Sequence, residues 1–135
     1  MAAHREVSVP IRHEADIVAA RQQGREMAGE LRYSSSELTL IATAISEVAR
    51  NILSYAGRGE IRLQLLDQGY RRGISVIAED HGPGIADLAQ AMQDGYSSSG
   101  SLGLGLPGSK RLMDDFHISS EVGRGTTVAM VKWER

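Results

Sequence analysis

The sequence predicts an α+β protein, a two-layer α/β sandwich with a mixed sheet of about five strands covered on one face by helices. Three observations lead there. Alternating apolar residues mark strands, apolar residues at helical spacing mark two long helices, and glycine-bearing turns separate strand pairs suited to hairpins. Stacking the helices on one side of the sheet gives every apolar face a partner.

The elements follow in order. Residues 5–11 alternate, with Val7, Val9 and Ile11 on one side, and read as a first strand. Residues 14–31 carry Ile17, Val18, Met27, Ala28 and Leu31 at helical spacing, with Gly24 as a weak point. Ser34, Ser35 and Ser36 offer N-cap hydroxyls and Glu37 falls in the first turn of a long helix. That helix is expected to reach about Tyr55 and to stop at Gly57 and Gly59. Residues 60–66 and 73–78 read as a hairpin. Residues 86–92 suit a short helix, and 94–101 are small and polar, as in a mobile loop. Another helix is expected from Leu106, with Pro107 in its first turn, to about Phe116. Residues 117–122 and 126–133 then form a closing hairpin around Gly123, Arg124 and Gly125. No repeat or linker interrupts this order, so residues 1–135 read as a single domain.

Composition narrows the function classes. The chain has 135 residues, 41% hydrophobic and 24% charged, with a formal net charge of -2, which suits a globular domain. Its basic residues are scattered, and a nucleic-acid binder needs clustered cations to displace counterions. Without cysteine there is neither a disulfide frame nor a thiolate zinc site. His4, His13, His81 and His117 lack metal-ligand spacing and read as structural or surface residues. No apolar run nears the roughly 20 residues of a membrane helix, and the first ten residues do not resemble a signal peptide. A soluble, cytoplasmic protein without nucleic-acid or membrane partners is expected.

Three stretches could carry chemistry. On the long helix, Leu38, Ile41, Ala42, Ile45, Ala49 and Ile52 point one way, while Glu47 lies nearly opposite with Asn51 one turn on. The pair could supply a carboxylate for a proton and an amide oxygen for Mg²⁺, or be a plain solvated face. Asp80 ends an apolar strand and is followed by Gly82, Gly84 and Ile85. It could accept a hydrogen bond from an exocyclic amine while the glycines admit a ligand, or it could simply cap a turn. The run from Gly100 to Gly108 opens a helix whose free N–H groups suit phosphate oxygens, or it is a flexible loop with capping glycines. Its match to GxGxxG is discounted, because a serine loop rather than an apolar strand precedes it. There is no P-loop, and the other signatures of the protein-kinase fold are absent.

Order and spacing together say more. Glu47-x-x-x-Asn51 resembles the N box of the GHKL superfamily, named for gyrase, Hsp90, histidine kinases and MutL. Asp80-x-Gly82-x-Gly84-Ile85 resembles its G1 box, Gly103-x-Gly105 its G2 box, and Gly125-Thr126 its terminal element. The likeness covers nearly the whole chain and leaves no room for a dimer stalk or a hydrolase arm. Within the superfamily the chain is similar to the small bacterial serine kinases that regulate sigma factors, above all the RsbT-type switch kinases of the stressosome. Residues 16–22, 44–52, 111–116 and 131–133 carry that likeness.

The resemblance implies the Bergerat fold, ATP with Mg²⁺, and a defined set of roles. Asp80 would bind the adenine amino group, supported by Thr126, and Asn51 would coordinate Mg²⁺. Gly103 and Gly105, flanking Leu104, would bring backbone N–H groups to the phosphates while residues 94–102 fold over them as a lid. Gly82, Gly84, Ile85 and Ser101 complete the nucleotide set, and Glu47 would be the general base. The implied partners are a STAS-domain protein carrying the target serine or threonine and a PP2C-type phosphatase activated by binding. Arg50 resembles a position that engages partner or phosphates; it is equally read as a surface arginine. Ser101 stands where the anti-sigma-factor branch has an arginine that reaches the γ-phosphate. Weaker ATP binding or a lid completed by the partner is expected, with Lys110 or Arg111 as possible substitutes. His81 replaces the frequent Asn or Gln, and a turn position tolerates this. The alternatives are an anti-sigma factor with kinase activity that sequesters a sigma subunit, and a nucleotide sensor without turnover. Ser101 leans towards the kinase, and the presence of both Glu47 and Asn51 argues against the sensor.

Overall fold

The computed structural model describes residues 3–86 and 105–135. Strand β1 (Ala3–Ile11) leads into helices α1 (Glu14–Ala28) and α2 (Ser35–Ala56). Strands β2 (Gly59–Asp67) and β3 (Arg72–Asp80) follow, then helix α3 (Gly105–Leu112) and strands β4 (Asp115–Glu121) and β5 (Gly125–Trp133). The expected short helix at 86–92 and the lid at 94–102 lie outside or at the edge of the described residues.

The helix starts are set by side chains. Ser34 Oγ accepts from the Glu37 N–H at 3.1 Å, and Glu37 Oε1 accepts from the Ser34 N–H at 3.0 Å. This reciprocal cap satisfies two backbone donors that helix geometry leaves unpaired. At the head of α1 the Asp16 carboxylate accepts from the N–H groups of Arg12 and His13, which holds its pKa below the usual 3.8. Gly57 ends α2 at φ +81.

The five strands form one sheet in the order β1-β2-β3-β5-β4, with every neighbouring pair antiparallel. A mixed sheet was expected. The strands joined through α3, β3 and β4, do run the same way, but β5 inserts between them and pairs antiparallel with both. No parallel ladder is left among the described residues.

Rows of alternating residues face the helices: Ile61, Leu63 and Leu65 on β2, Ile74, Val76 and Ala78 on β3, and Val128 and Met130 on β5. Helix α2 packs on this face with α1 and α3 against it. Its buried arc is therefore wider than the predicted stripe, since Ala44 and Val48 join Ile41, Ile45, Ala49 and Ile52 in the core. Gly24, read as a weak point, is where α1 meets α2: a Cβ there would stand 2.2 Å from Ile45 Cδ1. Leu106 and Met113 are core residues.

Candidate functional site

The period of β3 places Asp80 in the row of Ile74, Val76 and Ala78, so a strand that buries apolar side chains ends by turning a carboxylate inward. Its partner in register on β5 is Thr126. Helix α2 brings Val48, Asn51, Ile52 and Tyr55 to the same place, and Ile85 and Leu106 complete the wall. The hollow is narrow, about 20 Å³ in volume, well below the ~300–1,000 Å³ usual for ligand pockets.

Asp80 is 7% exposed, and its Oδ1 accepts from the Gly82 N–H at 2.9 Å. A carboxylate has acceptor sites beyond that single donor. Thr126 Oγ1 lies 2.7 Å from Ser120 Oγ. The Ser120 hydroxyl also accepts from the Ile85 N–H at 2.7 Å and donates to the Gly125 carbonyl at 3.2 Å. The Asn51 Nδ2 is buried without a hydrogen-bond partner. Leaving such a group unpaired costs about 1–3 kcal/mol, which a bound ligand can recover.

The predicted residues divide into three groups. Asn51, Asp80, Ile85 and Thr126 share the hollow. Gly82 and Gly84 are not among its lining residues, and their small size serves the protein's own packing. A Cβ on Gly82 would stand 2.5 Å from that of Ala56, and Gly84, at φ +79, has the Glu121 carbonyl oxygen 2.4 Å from its Cβ position. The Gly123 N–H donates to the Pro83 carbonyl at 2.9 Å, tying this turn to the β4–β5 hairpin. Glu47 is half-buried one helical turn before Asn51 and is not a lining residue. Ser101, Gly103 and Leu104 lie outside the described residues, while Gly105 begins α3 beside the lining Leu106. Arg50 is half-buried, and Lys110 and Arg111 stand exposed in the last turn of α3; none of the three lines the hollow.

Ser120 was missed in the sequence. Its signal was the closing turn: with Glu121 opposite Gly125, the next pair inwards is Ser120 with Thr126. Among the described residues no helix is long and apolar enough to cross a membrane.

An antiparallel sheet with helices on one face, and a small apolar slot bearing a carboxylate, a hydroxyl and an amide, defines a small-ligand-binding α+β domain. The family is settled by comparison. A family model described as a histidine kinase-like ATPase domain matches residues 10–132, and the chain belongs to that family. It is 53% identical over 128 residues to the serine/threonine-protein kinase RsbT of Bacillus subtilis (strain 168), covering 94% of this chain and 96% of that one. It is 32% identical over 108 residues to the anti-sigma F factor of Clostridium novyi (strain NT), covering 76% of each. A third relative, the anti-sigma F factor of Clostridium kluyveri (strain NBRC 12016), is 32% identical over 119 residues, 84% of this chain and 82% of that one.

Proposed function

We infer that this chain is an ATP-dependent serine/threonine protein kinase acting as a single domain in a bacterial stress-signalling switch. Its substrate is a STAS-domain protein, and once released from it the kinase binds and activates a PP2C-type phosphatase. The observation that carries the reading is the shared hollow, where Asp80 and Thr126 on the sheet and Asn51 on α2 border one apolar slot. Higher identity to the named kinase, 53% against 32% for the named anti-sigma factors, favours transfer over sigma sequestration.

The residues divide the work. Apolar walls from Val48, Ile52, Ala78, Ile85 and Val128 suit the faces of a base, and Asp80 with Thr126 suits its amino edge. Asn51 borders the hollow, and its amide oxygen would hold Mg²⁺. The ion neutralises charge on the phosphates and commonly takes only one or two protein ligands, the rest being phosphate and water. Gly103 and Gly105, with Leu104 and Ser101, would meet the phosphates at the head of α3. Glu47 would take the proton from the attacking hydroxyl, while Gly82 and Gly84 hold the turn that aims Asp80.

The test is incubation with Mg-ATP and a STAS-domain protein, followed by mass-spectrometric mapping of phosphate. Phosphoserine or phosphothreonine should appear on the STAS protein. Glu47→Ala should lower the transfer rate about 10²–10⁴-fold, as for loss of a general base, with ATP binding kept. Transfer at the normal rate by that variant would remove Glu47 from the role.

A further inference from the structure

We propose that the sheet face turned away from the helices carries a docking groove for an extended segment of a partner protein. In that segment an arginine and an acidic residue stand two positions apart. The reading does not depend on what fills the hollow.

The groove follows one row of residues. Pro10, Glu60, Glu79, Thr127 and Ser119 are partners in register across all five strands, and they alternate with the residues that face the helices. Two clefts, of about 410 and 300 Å³, lie along this row and share Glu79 and His81. Both fall within the ~300–1,000 Å³ usual for ligand sites. The row spans ~19 Å, or four strand spacings, which gives room for about six residues of extended chain.

Charge decides what fits. Glu60 and Glu79 stand directly opposite each other, an arrangement that repels. Glu79 has no ion pair among the described residues. The Arg62 Nε beside Glu60 is 3.8 Å away, beyond hydrogen-bond reach, and has no hydrogen-bond partner of its own. A guest cation between the two carboxylates relieves the repulsion, and a planar guanidinium can bond both. Arg12 and Arg58 line the larger cleft, stand exposed and make no ion pair among the described residues, so they suit a carboxylate. Side chains two apart in an extended chain point the same way, so one segment presents both charges together. The paired glutamates repel a nucleic acid or an anionic lipid surface.

Two synthetic hexapeptides serve as probes: acetyl-Gly-Ser-Arg-Ser-Asp-Gly-amide, and the same peptide with arginine and aspartate exchanged. A control carries glutamine and asparagine in their places. Titrated into the isotope-labelled full chain, at least one charged peptide should shift the amide resonances of Glu60, Glu79, His81 and Thr127 saturably, with millimolar affinity. The control should not. Glu79→Gln should weaken binding about two- to fivefold, the size of one exposed ion pair, and Glu79→Arg should abolish it. Because Glu79→Gln also removes a like-charge pair, its melting temperature should not fall. Should it fall, Glu60→Gln carries the same expectation. The proposal is overturned if neither charged peptide gives saturable shifts, if the control binds equally, or if the shifts map elsewhere. Wild-type binding by both Glu79→Gln and Glu60→Gln overturns it as well. A dimer in sedimentation that Glu79→Arg dissolves would give the groove to a second copy of the chain instead.

Discussion

Strands β3 and β5 carry polar residues on their helix-facing side at both ends, and the protein treats the two ends differently. At one end Asp80 and Thr126 border the hollow, near an Asn51 amide nitrogen with no partner. At the other end the groups satisfy one another. The Tyr33 hydroxyl donates to the Lys132 carbonyl and accepts from the Ile74 N–H at 3.1 Å. Lys132 Nζ donates to the Leu112 carbonyl at 3.1 Å, closing the last turn of α3 with a cation where the helix dipole favours one. Arg72 forks onto Glu134 at 3.0 and 2.9 Å, and Glu134 also accepts from the Arg32 N–H at 2.6 Å. The indole N–H of Trp133 reaches Asp115 at 2.9 Å, and Arg71 lies 3.7 Å over its ring. Polar residues at the edge of one core thus serve two purposes. Where their capacity is spent inside the protein they lock the fold, and where it is left over they await a ligand.

Matched substitutions would break this comparison or sharpen it. The largest effect is expected from Asp80→Asn, which replaces a charged acceptor with a poorer one. ATP affinity should fall about 10–100-fold, the range of a charge-assisted hydrogen bond, with little change in melting temperature. Tyr33→Phe should do the reverse. Burial pushes the Tyr33 pKa up, so the phenol keeps its proton for the Lys132 carbonyl. Losing it should cost about 1–3 kcal/mol of stability with ATP affinity unchanged. A loss of ATP affinity in Tyr33→Phe, or of stability alone in Asp80→Asn, would erase the distinction between the ends.

The smallest effect concerns acid. The Arg72 guanidinium holds the Glu134 carboxyl below its ordinary 4.5, and backbone donors hold Asp16 below 3.8. Carboxyls with lowered folded pKa values stabilise fully above the unfolded value and lose that contribution as pH falls through the folded one. Thermal melts should therefore drop below about pH 4.5. Glu134→Gln should flatten part of that drop, by no more than a few degrees, and an unchanged acid limb would assign the loss elsewhere.

The element order was legible because periods of two and 3.6 are local properties. Val7, Val9 and Ile11 announced β1, and Ser34 with Glu37 announced α2. Element ends were less legible, because distant residues set them. Helix α3 was expected to run to Phe116 and stops at Leu112, where Lys132 takes the last carbonyl and Asp114 turns to the Trp133 N–H at 2.7 Å. Antiparallel pairing throughout was not legible either, since it depends on β5 entering between strands that precede it. Asp80 stood out in the sequence because it closes an apolar row. Ser120 did not, because a hydroxyl on an edge strand gains its meaning only from the register that sets it opposite Thr126.

The insertion of β5 between β3 and β4 also has a bearing on biosynthesis. A ribosome makes Thr126 and Lys132 after the residues of the other four described strands. Until they arrive, β4 has no partner among the described strands and the hollow lacks one wall. A polypeptide cut short before β5 therefore lacks the wall that Thr126 and Val128 give the hollow.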